Sequence, residues 1–216
     1  LILGIDTSCD DTSVAVVQDT TTILANVISS QGIHLDYGGV VPELASRAHL
    51  TLLLPAIESA LQTAGCRLPD LDAIAVTRGP GLVGSLLIGL SVAKSMAMAL
   101  QKPLVGVNHM EGHIFAGRLA DPDMAPPFMT LIVSGGHTQL VHIQDWGAYE
   151  IIGKTRDDAA GEAFDKVAKM MDIGYPGGPA IDRAATTGDA GFVDFPRAYL
   201  DRDGSEFSFS GIKTAV

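Results

Sequence analysis

Short apolar runs and amphipathic stripes alternate along the chain. Leu1 to Ile5 and Val14 to Val17 are β-type runs, and between them lies the polar stretch Asp6-Thr7-Ser8-Cys9-Asp10-Asp11-Thr12-Ser13. That order predicts a hairpin whose tip offers hydroxyls, backbone N–H groups and three carboxylates. Such a tip can hold phosphate or a metal-bound nucleotide, although the same residue types are ordinary turn formers. Ile23 to Ile28 predicts a third strand, antiparallel to the second, and so a three-strand meander.

Tyr37-Gly38-Gly39 predicts a turn, and Pro42-Glu43 suits the first turn of a helix. Ala45, Ala48, Leu52, Ile57 and Leu61 form its apolar stripe, Pro55 bends or splits it, and Gly65 is its stop. Arg47 and His49 lie off that stripe, which places His49 at the surface. Leu71 to Thr77 reads as a strand. Gly79-Pro80-Gly81-Leu82-Val83-Gly84 then matches the dinucleotide fingerprint in spacing and in context. However, the acid that the fingerprint wants about twenty residues on is missing, and Pro80 removes an N–H that would face pyrophosphate. These glycines therefore predict a tight turn and a helix lying close to the sheet, with a phosphate able to pass its N-terminus. Leu82 to Leu100, the longest apolar stretch, is interrupted by Lys94, Ser85, Ser91 and Ser95 and is expected to be a buried helix, not a membrane span.

The run Pro103-Leu104-Val105-Gly106-Val107 ends in Asn108-His109-Met110-Glu111-Gly112-His113. In a helix starting at His109, residues i and i+4 share a face, so both imidazoles point to one spot. That is a divalent-metal arrangement, and a third ligand, a carboxylate by type, must come from elsewhere in the fold. Zinc proteases place the glutamate directly after the first histidine. Glu111 is two residues on, roughly 200° around the helix, and is out of reach of a water on the same metal. Two partly buried, hydrogen-bonded histidines would fit the pattern as well.

Beyond the proline-rich stretch 121–127, Met129 to Val133, the turn Ser134-Gly135-Gly136-His137-Thr138 and Gln139 to Ile143 repeat the opening scheme of strand, polar tip, strand. The N–H groups of Ser134-Gly135-Gly136 are unobstructed by side chains, which is how backbone approaches phosphate or carboxylate. Two such lobes facing each other would hold a nucleotide between their tips. Asp157 to Lys166 opens a helix in which Asp158, Glu162, Asp165 and Lys169 share a polar stripe, by default a solvated one. Gly174-Tyr175-Pro176-Gly177-Gly178-Pro179 is a rigid turn into another helix, with Asp182 expected in that helix's first turn. Nothing caps the ending Phe207 to Val216, which suggests an incomplete second lobe.

Composition narrows the function classes. The chain has 216 residues, 47% of them hydrophobic and 18% charged, enough for one large or two small domains of α/β type. Its 14 basic and 25 acidic residues leave a formal charge of −11, the wrong sign for gripping a phosphate backbone unaided. Cys9 and Cys66 are far apart and form no C-x-x-C pair, so neither a disulfide scaffold nor a redox motif is expected, and a reducing cytoplasm fits. No signal peptide is visible at the start.

Taken together, Gly4-Ile5-Asp6-Thr7-Ser8-Cys9-Asp10-Asp11-Thr12, Tyr37-Gly38-Gly39-Val40-Val41-Pro42-Glu43-Leu44-Ala45-Ser46-Arg47, Gly79-Pro80-Gly81-Leu82, the His109 to His113 segment, Val133-Ser134-Gly135-Gly136-His137-Thr138, Gly161-Glu162-Ala163-Phe164-Asp165-Lys166 and Tyr175-Pro176-Gly177-Gly178-Pro179 resemble the tRNA N6-adenosine threonylcarbamoyltransferase family. The resemblance implies the actin/Hsp70/sugar-kinase, ribonuclease H-like α/β fold, two-lobed with a duplicated hairpin-plus-helix unit. It suggests a first lobe over residues 1–107 and a metal-binding helix with a second lobe over 108–216.

The resemblance also implies that His109 and His113 bind one divalent metal per subunit, Fe2+ or Zn2+, with an aspartate beyond Val216 as third protein ligand. It puts Ile132, Val133, Ser134, Gly135, Gly136, Asp165, Gly178 and Asp182 around threonylcarbamoyl-AMP, which overrides the solvated default for Asp165. The expected reaction is transfer of the threonylcarbamoyl group to N6 of the adenosine next to the anticodon in tRNA, with Asp10 or Asp11 as the proton acceptor. The family usually has glutamates at the positions of Asp6 and Asp11. Expected partners are tRNA, held mainly with help from other proteins, an inactive paralogue of the same fold and a small ATPase, in the cytoplasm and without a membrane. An ATP-dependent small-molecule kinase and a non-catalytic scaffold share the fold and are the alternatives; the histidine pair argues against both. A protease is the weakest reading, because Glu111 is misplaced.

Overall fold

The computed structural model describes residues 1–19, 21–198 and 204–216, and these form two compact units, Leu1–Asp123 and Met124–Val216. In the first unit the strands β1 (Ile2–Asp6), β2 (Asp11–Gln18) and β3 (Thr22–Ser30) make the antiparallel meander that the sequence predicts. The strands β4 (Ala73–Gly79) and β5 (Leu104–Asn108) then add to β1 in parallel, giving the order β3-β2-β1-β4-β5. This is the mixed sheet of a ribonuclease H-like unit. The parallel additions need crossovers, and two helices supply them. They are α1 (Pro42–Ala64) and α2 (Val83–Leu100), which pack on the sheet and on each other.

Alternation along β1 and β2 buries Leu3, Ile5, Val14 and Val16, and these meet Leu53, Ala56, Ile57 and Ala60 of α1 and Ala93 and Ala97 of α2. Pro42 stands at the start of α1 and Gly65, at φ +66°, ends it with N–H groups turned to the last carbonyls. Pro55 does not split this helix, which continues unbroken for 23 residues. Its buried stripe is Ala45, His49, Leu53, Ala56, Ile57 and Ala60, rotated by one residue from the stripe that includes Ala48 and Leu52. The apolar pattern alone misplaces it because a buried histidine belongs to it.

Helix α2 is only half buried. Ser85, Gly89, Ala93 and Ala97, four residues apart, face inward, while Val83, Leu87 and Met98 are exposed. By length and apolar content it is the one helix among the described residues that could cross a membrane. Its inward stripe of small residues is what lets it lie against β4 and α1.

Helix α3 (His109–Ala120) follows β5 directly and belongs to the first unit, whereas the sequence reading divides the chain before it. The second unit is an antiparallel meander of β6 (Phe128–Val133), β7 (Thr138–Asp145) and β8 (Ala148–Lys154), then α4 (Ala160–Met170), α5 (Gly177–Ala185) and α6 (Ser210–Ala215). The hairpin of β6 and β7 is the predicted repeat of the first; β8 had no clear signal in the sequence. Helices α4 and α5 pack on each other.

Candidate functional site

Strands β1, β4 and β5 run parallel, so their C-terminal ends meet at one edge of the sheet. Open α/β sheets bind ligands at that edge. It brings Asp6 to Ser8, Gly79 to Gly81 and Asn108 to His113 together. The Asn108 side chain accepts the N–H of Met110 at 2.9 Å, which caps α3 and makes His109 its first residue. His113 is one turn on. The two Nε2 atoms face each other at 3.1 Å, with the rings edge to face and their centroids 4.6 Å apart. Two nitrogens on one tetrahedral metal are roughly 3.3 Å apart, so the pair fits a divalent ion with little adjustment. Among the described residues no group of three or more His, Cys, Asp or Glu gathers around one point. The pair by itself offers two donors, fewer than a complete tetrahedral site requires.

On its other side His109 meets the first hairpin. Its Nδ1 lies 3.0 Å from Asp6 Oδ2 and 3.2 Å from Ser8 Oγ. The other carboxylate oxygen of Asp6 accepts the Ser8 N–H at 2.6 Å. Burial raises the Asp6 pKa, but the hydrogen bonds from His109 and Ser8 outweigh it and hold the carboxyl below the usual range. Asp6 is ionised at neutral pH. The sequence counts Asp6 only among the three tip carboxylates, because its contact with His109 spans two strand pairings that only the topology reveals.

The loop bearing Ser8 is packed hard against the start of α2. A Cβ at Gly81 would sit 2.6 Å from the Ser8 carbonyl oxygen, which accepts the Leu82 N–H at 2.8 Å. A Cβ at Gly89 would sit 2.4 Å from Thr7 Oγ1, which donates to the Ser85 carbonyl. Within the G-x-G-x-x-G stretch Gly81 and Gly84 serve close packing, a Cβ at Gly84 falling 2.5 Å from Ser46 Oγ, while Gly79, at φ +143° with nothing within 4 Å, makes the turn, as expected once the dinucleotide reading is set aside.

His49, expected at the surface, is fully buried and is the anchor of the hairpin tip. Its Nε2–H donates to the Cys9 carbonyl at 3.0 Å, which leaves Nδ1 to accept the Thr12 hydroxyl at 2.7 Å. Beside it, Gln31 donates to the Ala45 carbonyl at 3.2 Å and accepts from His34 Nε2 at 2.9 Å. His34 Nδ1 in turn accepts the Val41 N–H at 3.3 Å. Each buried polar group has a partner of the right kind, which is why these histidines are tolerated in the core.

Asp10 and Asp11 sit at the tip itself. The Asp10 carbonyl accepts the Gln31 N–H at 3.2 Å, and Asp11, exposed, is the first residue of β2. The carboxylate that meets His109 is Asp6, neither Asp10 nor Asp11. Between them and Ser8, desolvation and the Asp10 charge push the Cys9 thiol up to about 12. Cys9 is a neutral thiol at physiological pH and a poor nucleophile.

In the second unit the tip Ser134 to Thr138 is closed by its own hydrogen bonds. The Ser134 hydroxyl accepts the His137 N–H at 3.0 Å, and the Ser134 N–H donates to the His137 carbonyl at 2.8 Å. Gly135 and Gly136 are exposed, Ile132 is buried beneath them, and Val133 points outward. The tip rests on the start of α4: the Gly161 N–H donates to the Ser134 carbonyl, and a Cβ at Gly161 would fall 2.7 Å from that oxygen. One turn along α4, Asp165 accepts the Gly177 N–H at 2.7 Å and so holds the first residue of α5, beside Gly178. Asp182 is the sixth residue of α5, in its second turn and exposed, because the helix begins at Gly177 and not after Pro179. The polar stripe of α4 is partly tied down: Lys166 bridges Asp158 at 2.7 Å and Glu162 at 2.8 Å, and Lys213 bridges Asp158 at 2.6 Å.

Residues 22–216 match the family model described as tRNA N6-adenosine threonylcarbamoyltransferase. Proteins of that name from Clostridium perfringens and Clostridioides difficile are 56% and 54% identical to the chain over its whole length. The chain spans about 64% of the length of these curated relatives. Among solved structures, YeaZ from Pseudomonas aeruginosa aligns over 69% of this chain and 67% of its own, with 25% identity and a TM-score of 0.45. A ROK hexokinase from Thermus thermophilus aligns over 76% and 51%, with 17% identity and a TM-score of 0.42. With the family model covering all but its first 21 residues, the chain belongs to the tRNA N6-adenosine threonylcarbamoyltransferase family.

Proposed function

We propose that this chain carries the metal-ligand pair and the adenylate cradle of a transferase that moves the threonylcarbamoyl group from threonylcarbamoyl-AMP to N6 of adenosine in tRNA. The observation that carries the reading is the convergence of His109 and His113 at 3.1 Å, in a chain of this family. In the reaction the adenosine amine attacks the carbamoyl carbonyl, a nitrogen–carbon bond forms, the bond from that carbon to the phosphate oxygen breaks, and AMP leaves with the electron pair. The amine loses one proton.

His109 and His113 would hold Fe2+ or Zn2+, completed by an aspartate that the family resemblance places beyond Val216. Such a metal supplies Lewis acidity and a fixed point for orienting the substrate. The exposed amides of Gly135 and Gly136 would receive the adenylate phosphate, with Ser134, whose own N–H is held by the His137 carbonyl, closing the tip, Ile132 and Val133 supporting it, and Asp165, Gly178 and Asp182 lining the nucleotide's side. Asp165 contributes by fixing the turn before Gly178, since its carboxylate holds the Gly177 N–H. Asp10 and Asp11 remain the candidates for the proton, as the carboxylates at the end of the first tip.

The charge of −11 supports a reading in which tRNA is gripped mainly by partner proteins, among them an inactive paralogue of the same fold and a small ATPase. Metal analysis and a transfer assay on His109→Ala/His113→Ala test the proposal. Loss of metal together with loss of transfer is the expected result; a variant that transfers at the wild-type rate refutes the role of the pair.

A further inference from the structure

We infer that Asp6 is a positioning residue for the metal pair: its carboxylate fixes the His109 ring and tautomer so that Nε2 presents a lone pair toward His113. The inference rests on the metal reading above and concerns a residue outside the ligand set.

The argument is one of donors and acceptors. Asp6 is an ionised carboxylate and can only accept. At 3.0 Å from its Oδ2, His109 Nδ1 must therefore carry the proton. The same ring cannot be neutral and protonated at Nε2 as well, so Nε2 is an acceptor. It takes the proton of His113 Nε2–H across the 3.1 Å gap. A metal ligand needs the lone pair at that position, and a carboxylate behind a ligating imidazole is the usual way to secure it. Asp6 is itself held, since its second oxygen accepts the Ser8 N–H at 2.6 Å, and Ser8 is wedged against Gly81. The first hairpin, the start of α2 and the start of α3 thus converge on one nitrogen.

The second hydrogen bond makes the prediction sharp. In Asp6→Asn the amide oxygen stays on the Ser8 N–H, which turns the NH2 group toward His109 Nδ1. An NH2 there demands an acceptor, so the proton moves to Nε2 and occupies the metal-facing position. The substitution changes no volume and keeps the contact with Ser8, yet reverses the tautomer.

The test uses Zn2+ or Co2+ alone with the purified protein, wild type beside Asp6→Asn, Asp6→Glu and His109→Ala. Competition titration with a chelator reads the metal affinity, and imidazole 15N shifts of the metal-free protein read the tautomer. Asp6→Asn is expected to bind about 10- to 100-fold more weakly, with its His109 signal moving from the Nδ1–H to the Nε2–H form. Asp6→Glu, which restores the carboxylate, is expected to recover the Nδ1–H form and most of the affinity. Wild-type affinity and an unchanged tautomer in Asp6→Asn, with His109→Ala unable to bind, overturn the positioning role and leave the metal reading standing. Wild-type affinity in His109→Ala overturns the metal reading, and the role of Asp6 with it.

Discussion

The chain builds one hairpin design twice and supports it in two different ways. In the first unit Thr7, Ser8 and Thr12 of the tip are buried, clamped by His49 on one side and by the start of α2 on the other. In the second unit the tip closes on itself through Ser134 and His137 and leaves Gly135 and Gly136 in the open. The first tip presents side chains, the second presents backbone. Side chains that must aim at one point need a core that removes their freedom, whereas an amide cradle needs the absence of side chains. Leu3, Leu53, Leu71 and Ile74 are fully buried in the first unit, while Met129, Leu131, Val133 and Ile151 of the second sheet stand exposed.

The largest test of this contrast is a pair of truncations. Leu53→Ala is expected to cost about 2 to 5 kcal/mol of stability in urea unfolding, because the cavity lies in a closed core. Leu131→Ala, on the exposed face of β6, is expected to stay within about 0.5 kcal/mol. Equal losses would mean that the second sheet is covered as fully as the first. Next in size is the clamp itself. His49→Ala strands the Cys9 carbonyl and the Thr12 hydroxyl in the core and is expected to cost about 3 kcal/mol, with Thr12→Val costing about 1 kcal/mol on the same scale. A His49→Ala protein as stable as wild type would show that the tip does not depend on its anchor.

Gly81→Ala is expected to cost about 1 to 3 kcal/mol, since the new Cβ would be driven into the Ser8 carbonyl and the backbone must move. The displaced loop carries Asp6, so metal affinity is expected to fall alongside stability. A stable Gly81→Ala protein with undisturbed metal binding would mean that the loop adapts freely.

These tests also mark what the sequence could and could not supply. The meander, both hairpins and the start and stop of α1 were legible because each depends on local signals: alternation, Pro42 at a helix start, Gly65 at a helix stop. The partnership of Asp6 with His109 was not, because β4 lies between their strands and only the parallel order β1-β4-β5 brings the two ends together. His49 was misplaced for a related reason. Its partners Thr12 and Cys9 come from 37 and 40 residues away, and a histidine with unseen partners looks like a surface residue. For Asp165 the sequence alone gives a solvated stripe, because its hydrogen bond to Gly177 crosses the turn between two helices.

Acid acts on the second unit through two carboxylates that hold its end. Hydrogen bonds from the Ser208 hydroxyl and the Phe209 and Ser210 N–H groups outweigh desolvation and hold the Asp157 carboxyl below its usual range, and Lys166 and Lys213 do the same for Asp158. Both pKa values are lowered on folding, so the contribution is complete above the ordinary carboxylate value of about 4 and is lost as pH falls through the lowered values. Residues 207–213 are therefore expected to loosen in acid, read as reduced amide-exchange protection at Phe209 and Ser210. Asp157→Asn is expected to show the same loosening at neutral pH; protection unchanged by either treatment would break the link between these carboxylates and the end of the second unit.

The smallest effect on the fold falls at the second tip, and it separates a plain turn from a cradle. A Cβ at Gly135 meets nothing within 4 Å, so Gly135→Ala is expected to leave stability within about 0.5 kcal/mol of wild type. The same methyl would stand in front of amides that a phosphate must approach. AMP affinity is therefore expected to drop severalfold in Gly135→Ala while the melting temperature holds, the reverse of Gly81→Ala, in which stability falls. If AMP binds Gly135→Ala and wild type alike, the exposed glycines are only a turn and take no part in holding a phosphate. The asymmetry between the two hairpins would then be one of packing alone.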